Sequence, residues 1–191
     1  MNETTLQPFA EPLKAVQQLL QAYHQQGIVS DGVAASLLGK PRFTADIDLV
    51  LLLSVDDLPA LIQTAKQVGL HPRIADAENF ARKHRVLLLV HEQSQINVDI
   101  SLGVLPFEIE AVERSQVQEI GDLLIRLPTA SDLIILKAIA HRPKDLLDIQ
   151  GVIESNSNLD RERIKSWVTQ FAELLELPEL WDDIAGWLND E

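Results

Sequence analysis

GVAASLLGKPRFTADIDLVLLL, residues Gly32 to Leu53, sets two aspartates one residue apart at the mouth of an apolar run. Residues i and i+2 of a strand point the same way, so a strand over Asp46–Leu53 puts Asp46 and Asp48 on one face. Ile47 and Leu49 then share the other. The apolar tail of that strand predicts burial on both faces. Two carboxylates so close raise each other's pKa unless a cation sits between them. Mg²⁺ suits the position, because it takes one or two carboxylates together with phosphate oxygens and water.

A second strand repeats the pattern. In INVDISL, Ile96–Leu102, the apolar residues Ile96, Val98, Ile100 and Leu102 alternate with Asn97, Asp99 and Ser101. If it neighbours Asp46–Leu53, three carboxylates converge, enough for a two-metal site that activates an attacking oxygen and stabilises a leaving phosphate. Asp99 could then serve as general base for an incoming hydroxyl. Upstream, Ser30-Asp31-Gly32 reads as a turn and helix cap. Free N–H groups at a helix start bind phosphate.

Outward from these stretches, apolar spacing predicts a helix over residues 11–26, a short helix Val33–Leu38 and a helix Val55–Val68. Arg85–His91 and Ile96–Leu102, joined by EQSQ, suit a hairpin. A helix near Pro106–Arg114 and a short strand Leu123–Leu127 follow. From Thr129 to Ser155 the spacing is helical with a break at Pro143, and about 160–189 reads as two more helices split at Pro178. This gives an α+β chain: a mixed α/β unit, 1–128, packed against a C-terminal helical region, 129–191.

With 191 residues, 46% of them apolar, the chain can bury a real core. It has no cysteine, hence no disulfide framework, thiol nucleophile or thiolate metal site. The start MNETTLQPFAEPLK has no signal-peptide pattern, and no apolar run approaches the length needed to cross a bilayer, so a cytoplasmic location is expected. Asp and Glu total 29 against 16 Lys and Arg, a net charge of −13. Such a surface repels nucleic acid unless Lys40, Arg42, Arg82, Lys83, Arg85, Lys137, Arg142 and Lys144 gather around one cleft. The five histidines lack zinc-binding spacing.

The run Gly32, Ala34, Gly39, Arg42, Thr44, Asp46, Asp48 resembles the DNA polymerase β-like nucleotidyltransferase superfamily, and within it the AbiEii/MenT-like branch of nucleotidyltransferase toxins. The block SDLIILKAIAHRPKDLLDI resembles the branch's closing motif. The resemblance implies a minimal polymerase β-like fold, a small mixed β-sheet flanked by helices, with a C-terminal helical bundle. It implies transfer of a nucleoside monophosphate from NTP to a hydroxyl, with the tRNA 3′ end as one acceptor and an antitoxin as a protein partner. Asp46, Asp48 and Asp99 would be the catalytic and Mg²⁺-binding residues. Gly32, Arg42, Thr44 and Lys137 would bind nucleotide, while Asp145 and Asp148 match the closing motif.

Structural alternatives stand beside these roles. Arg42 can pair with Asp46 or Asp48, Lys137 can be a snorkelling lysine, and Asp145 and Asp148 can form salt bridges to Arg142 and Lys144. Trp167, Trp181 and Trp187 suit core or docking positions. One residue departs from the branch: Asp31 stands where a glycine is usual. It either turns away to cap the following helix or weakens triphosphate binding. The alternative functions are a weak or inactive nucleotide-binding protein on the same scaffold, and a small-molecule nucleotidyltransferase of the aminoglycoside type.

Overall fold

The computed structural model describes residues 7–189. Its centre is a five-stranded mixed sheet in the order β1-β2-β5-β4-β3, from Gly27–Ser30 (β1), Asp46–Leu52 (β2), Leu70–Pro72 (β3), Val86–His91 (β4) and Asn97–Gly103 (β5). β2 and β5 run parallel in the middle; the other pairs are antiparallel. Burial alternates along β5 and at the start of β2, while Leu49, Val50 and Leu51 of the apolar tail are all buried, as its sequence predicts. Ile47, Leu49, Leu51, Val98, Ile100 and Leu102 are buried, whereas Asp46, Asp48, Asp99 and Ser101 are partly exposed.

The helices flanking the sheet are Ala10–Ala22 (α1), Asp31–Leu38 (α2), Leu58–Gln67 (α3), Ala77–His84 (α4) and Pro106–Glu113 (α5). A hairpin of Gln116–Ile120 (β6) and Leu123–Leu127 (β7) leads into the C-terminal bundle. That bundle is Ala130–Ala140 (α6), Pro143–Ser155 (α7), Arg161–Leu175 (α8) and Glu179–Asn189 (α9). Its turns follow from local chemistry. The Thr129 hydroxyl accepts from the Asp132 amide at 3.1 Å and starts α6. His141 takes a left-handed φ of 49° at the end of α6, Arg142 is extended before proline, and Pro143 opens α7.

Buried charge and aromatic contacts fix the bundle. Asp132 is fully buried and meets Arg163 of α8 at 2.7 Å and Arg114 at 3.3 Å. Phe107 of α5 packs on Trp167 and Phe171 of α8, with ring centroids 5.4 and 6.1 Å apart. Trp181 and Trp187 are also packed partly buried against the core. Among the described residues, no helix is long and apolar enough to cross a membrane.

Three elements lie outside the sequence expectations: β3, α4 and β6. The helix expected to reach residue 26 ends at Ala22, because His24 and Gln25 take φ of 54° and 61° and turn the chain into β1. The short helix expected from Val33 begins two residues earlier, at Asp31.

Candidate active site

The parallel pairing of β2 with β5 sets Asp48 directly opposite Asp99, with Asp46 two residues upstream on the same face. Adjacent strands lie roughly 5 Å apart, so the three carboxylates are near neighbours. Two of them have local partners. Thr44 Oγ1 donates to Asp46 Oδ1 at 3.1 Å. Arg73, anchored on β4 by its amide to the Leu88 carbonyl, grips Asp99 with both terminal nitrogens, Nη2 lying 3.1 Å from Oδ2. Asp48 sits between them without such relief. Burial, then the like charges of Asp31, Asp46 and Asp99, push its pKa up to about 7.

Gly32 holds the loop that carries Thr44. A Cβ there would come within 2.8 Å of the Thr44 Cβ and closer still to its hydroxyl. Gly32→Ala is therefore expected to displace Thr44, release Asp46 and lower stability by about 1–3 kcal/mol, read by denaturant unfolding.

A cavity of about 370 Å³ opens from Asp48 between this sheet face and α6. Ser30, Asp31, Val50, Ser101, Lys137 and Arg142 are among the residues that line it. Beside it four cations and three carboxylates interlock. Lys137, 2% exposed, places its Nζ 2.9 Å from Asp145 and 2.7 Å from Asp148, and also against Asp31. Arg142 reaches Asp31 at 2.6 Å and Asp145 at 2.5 Å, and Lys144 lies 3.6 Å from Asp31. Arg42 forks onto Asp148 at 2.6 and 2.8 Å and comes within 3.8 Å of Asp31. Burial alone would raise the Asp31 pKa; hydrogen bonds from Lys137 and Arg142 overcome it and hold the carboxyl down to about 2.

Several expected contacts change here. Arg42 pairs with neither Asp46 nor Asp48 but with Asp148. Lys137 does not snorkel to solvent: it is the buried hub of a carboxylate triad. Asp31 does not cap α2, since its side chain turns to the cations and Ser30, at the N-cap, makes no side-chain cap either. Of the eight basic residues, Arg42, Lys137, Arg142 and Lys144 gather at the cleft. Lys40 pairs with Glu154, Arg82 with Glu78 and Asp56, and Arg85 donates to the Leu102 carbonyl. Sequence inspection missed Arg73; its only signal was one arginine in an unassigned loop.

Two carboxylate groups thus bear on metal binding. The oxygens of Asp31, Asp145 and Asp148 lie within 4.8 Å of one another, a spacing that could hold a divalent ion. The Lys137 ammonium already stands among them. Asp46, Asp48 and Asp99 are less tightly gathered but have hard oxygen donors, and ionisation of Asp48 is opposed by burial and three like charges that a cation would relieve. That chemistry fits Mg²⁺. Because Asp48 binds its proton more tightly in the folded chain, the stability it contributes is complete below about pH 4. It is lost as the pH rises through about 7. In metal-free buffer, denaturant midpoints should fall from about pH 5 to about pH 8 on this account, and Asp48→Asn should flatten the slope.

Mixed sheet, flanking helices, C-terminal bundle and acidic cleft together define a nucleotidyltransferase-type enzyme. Residues 33–183 match the family described as nucleotidyl transferase AbiEii toxin of a type IV toxin–antitoxin system, and the chain belongs to that family. No curated protein gives a significant match. Two solved structures share the fold. The antibiotic-resistance factor ANT(2'')-Ia, seen in solution, is 15% identical, with a TM-score of 0.54 over 88% of this chain and 95% of that one. An antigenic nucleotidyltransferase-like protein from Paracoccidioides brasiliensis is 13% identical, with a TM-score of 0.56 over 92% of this chain and 91% of that one. Identities this low show the fold alone.

Proposed function

We propose that the protein transfers a nucleoside monophosphate from an NTP to a hydroxyl acceptor, using Asp46, Asp48 and Asp99. The observation that carries this is the register of β2 against β5, which sets Asp48 opposite Asp99 at the mouth of a cavity rimmed by cations. The acceptor oxygen forms a bond to the α-phosphorus, the bond to the β-phosphate's bridging oxygen breaks, and pyrophosphate leaves. Asp46, Asp48 and Asp99 would hold Mg²⁺, which would neutralise phosphate charge and align the attacking and leaving oxygens. Asp99, once freed from Arg73, takes the hydroxyl proton on a carboxylate oxygen. Gly32 and Thr44 shape the loop against the phosphates, and Arg42 and Lys137 bring positive charge to that side of the cleft from their places beside Asp148, Asp31 and Asp145.

The catalytic residues fall within 1–128, and the helical part, 129–191, contributes Lys137 and Arg142 to the rim of the cleft. A terminal acceptor such as the tRNA 3′ end fits better than a long RNA backbone, because only four basic residues gather at the cleft and all four are ion-paired. The family's toxin–antitoxin setting supports an antitoxin as partner. Incubation with each labelled NTP, Mg²⁺, total RNA and lysate protein should label one acceptor. Asp46→Ala should abolish that labelling; incorporation that survives the substitution removes these residues from the chemistry.

A further inference from the structure

We propose that Asp31 is a tethered anion filling the phosphate-binding part of this cleft, so that the protein as it stands restrains its own capture of polyphosphate. This rests on the nucleotide reading only for the identity of the natural ligand. Asp31 takes a φ of 45°, a left-handed conformation that glycine adopts freely and other residues enter seldom. From that position, in the first turn of α2, its carboxylate meets Lys137, Arg142 at 2.6 Å, Lys144 at 3.6 Å and Arg42 at 3.8 Å. Four cations converging on one carboxylate at a helix start form an anion site, and the chain supplies the anion.

Charge counting shows what Asp31 does. Asp145 and Asp148 are themselves buried and bonded to Lys137, Arg142 and Arg42. Against those two carboxylates, four cations leave two positive charges over. Asp31 cancels one of them and occupies the space next to Asp48 on the cavity wall. A phosphate must displace it. Replacing Asp31 restores the second surplus charge, and glycine also clears the side chain and relieves the positive φ.

The test uses inorganic tripolyphosphate, without metal or nucleotide, titrated by calorimetry into the full chain. Asp31→Asn and Asp31→Gly should each bind it at least about tenfold more tightly than the unaltered protein, the equivalent of about 1.4 kcal/mol. The gain should shrink as salt rises, and adding Arg142→Gln to Asp31→Asn should erase it. Thermal melts and near-UV circular dichroism identify variants that remain folded. Folded Asp31 variants that bind tripolyphosphate no better than the unaltered chain would overturn the proposal, leaving Asp31 as a structural partner of Lys137. Because no turnover is read, a negative labelling assay leaves this result standing, and tighter polyphosphate binding does not by itself establish transfer.

Discussion

Asp48→Asn is expected to abolish nucleotide transfer while making the protein harder to unfold. The two effects have one cause. Asp48 is partly buried among Asp31, Asp46 and Asp99, so its carboxyl keeps a proton up to about pH 7 unless a cation arrives. Asparagine keeps the shape and removes the charge. Transfer should fall by on the order of a thousandfold or more, since this charge holds the metal that stabilises the transferring phosphoryl group. At about pH 8, without metal, stability should rise by about 1 kcal/mol, which is about 2–4 °C in melting temperature for a chain of this size. A residue serving only as structure would lose stability on the same substitution. Paired kinetics and thermal melts check both halves.

Lys137→Met should be the most destabilising single change at the site. Methionine matches the lysine in length but leaves Asp31, Asp145 and Asp148 without their shared ammonium. Removing one partner of a buried charge cluster typically costs about 3–5 kcal/mol, so the melting temperature should drop by roughly 10 °C or more. Arg142 and Arg42 still neutralise part of the charge, which keeps the fold within reach of measurement. The variant also separates the two carboxylate groups. With the ammonium gone, the 4.8 Å spacing of Asp31, Asp145 and Asp148 becomes available to a divalent ion. Millimolar Ca²⁺ or Mg²⁺ should then restore more of the lost stability to Lys137→Met than to a variant of matched stability made elsewhere in the core, where only the Asp46, Asp48 and Asp99 face can take the ion.

The central strands were legible because their chemistry alternates. Asp46 and Asp48 in one, and Asp99 between Val98 and Ile100 in the other, predict a shared polar face, and pairing β2 with β5 places them in register. The helices after Thr129 were legible from apolar residues at helical spacing and from the prolines at 143 and 178 that divide them. Elements with weak patterns were not. β6, QVQEI, is mostly exposed and has no buried face to announce it. β3 has three residues, one of them proline, and α4 buries only Ala77 and Ala81.

The site divides the same way. The acidic strand face was visible in local sequence, but the ion-pair network is built from distant segments. Lys137 and Arg142 lie 106 and 111 residues from Asp31, and Asp148 lies 106 from Arg42. No spacing rule links residues that only folding brings together. Composition hid the same point: a chain with a charge of −13 keeps four of its few cations inside one acidic cleft.

Anomalous diffraction from crystals grown with Mn²⁺ and a non-hydrolysable NTP analogue tests the central claim most directly. The account predicts manganese within ligand distance of Asp46 and Asp48, with Arg73 withdrawn from Asp99 and the triphosphate beside Lys144 and Arg142. Manganese bound instead among Asp31, Asp145 and Asp148, with Lys137 expelled, would contradict it.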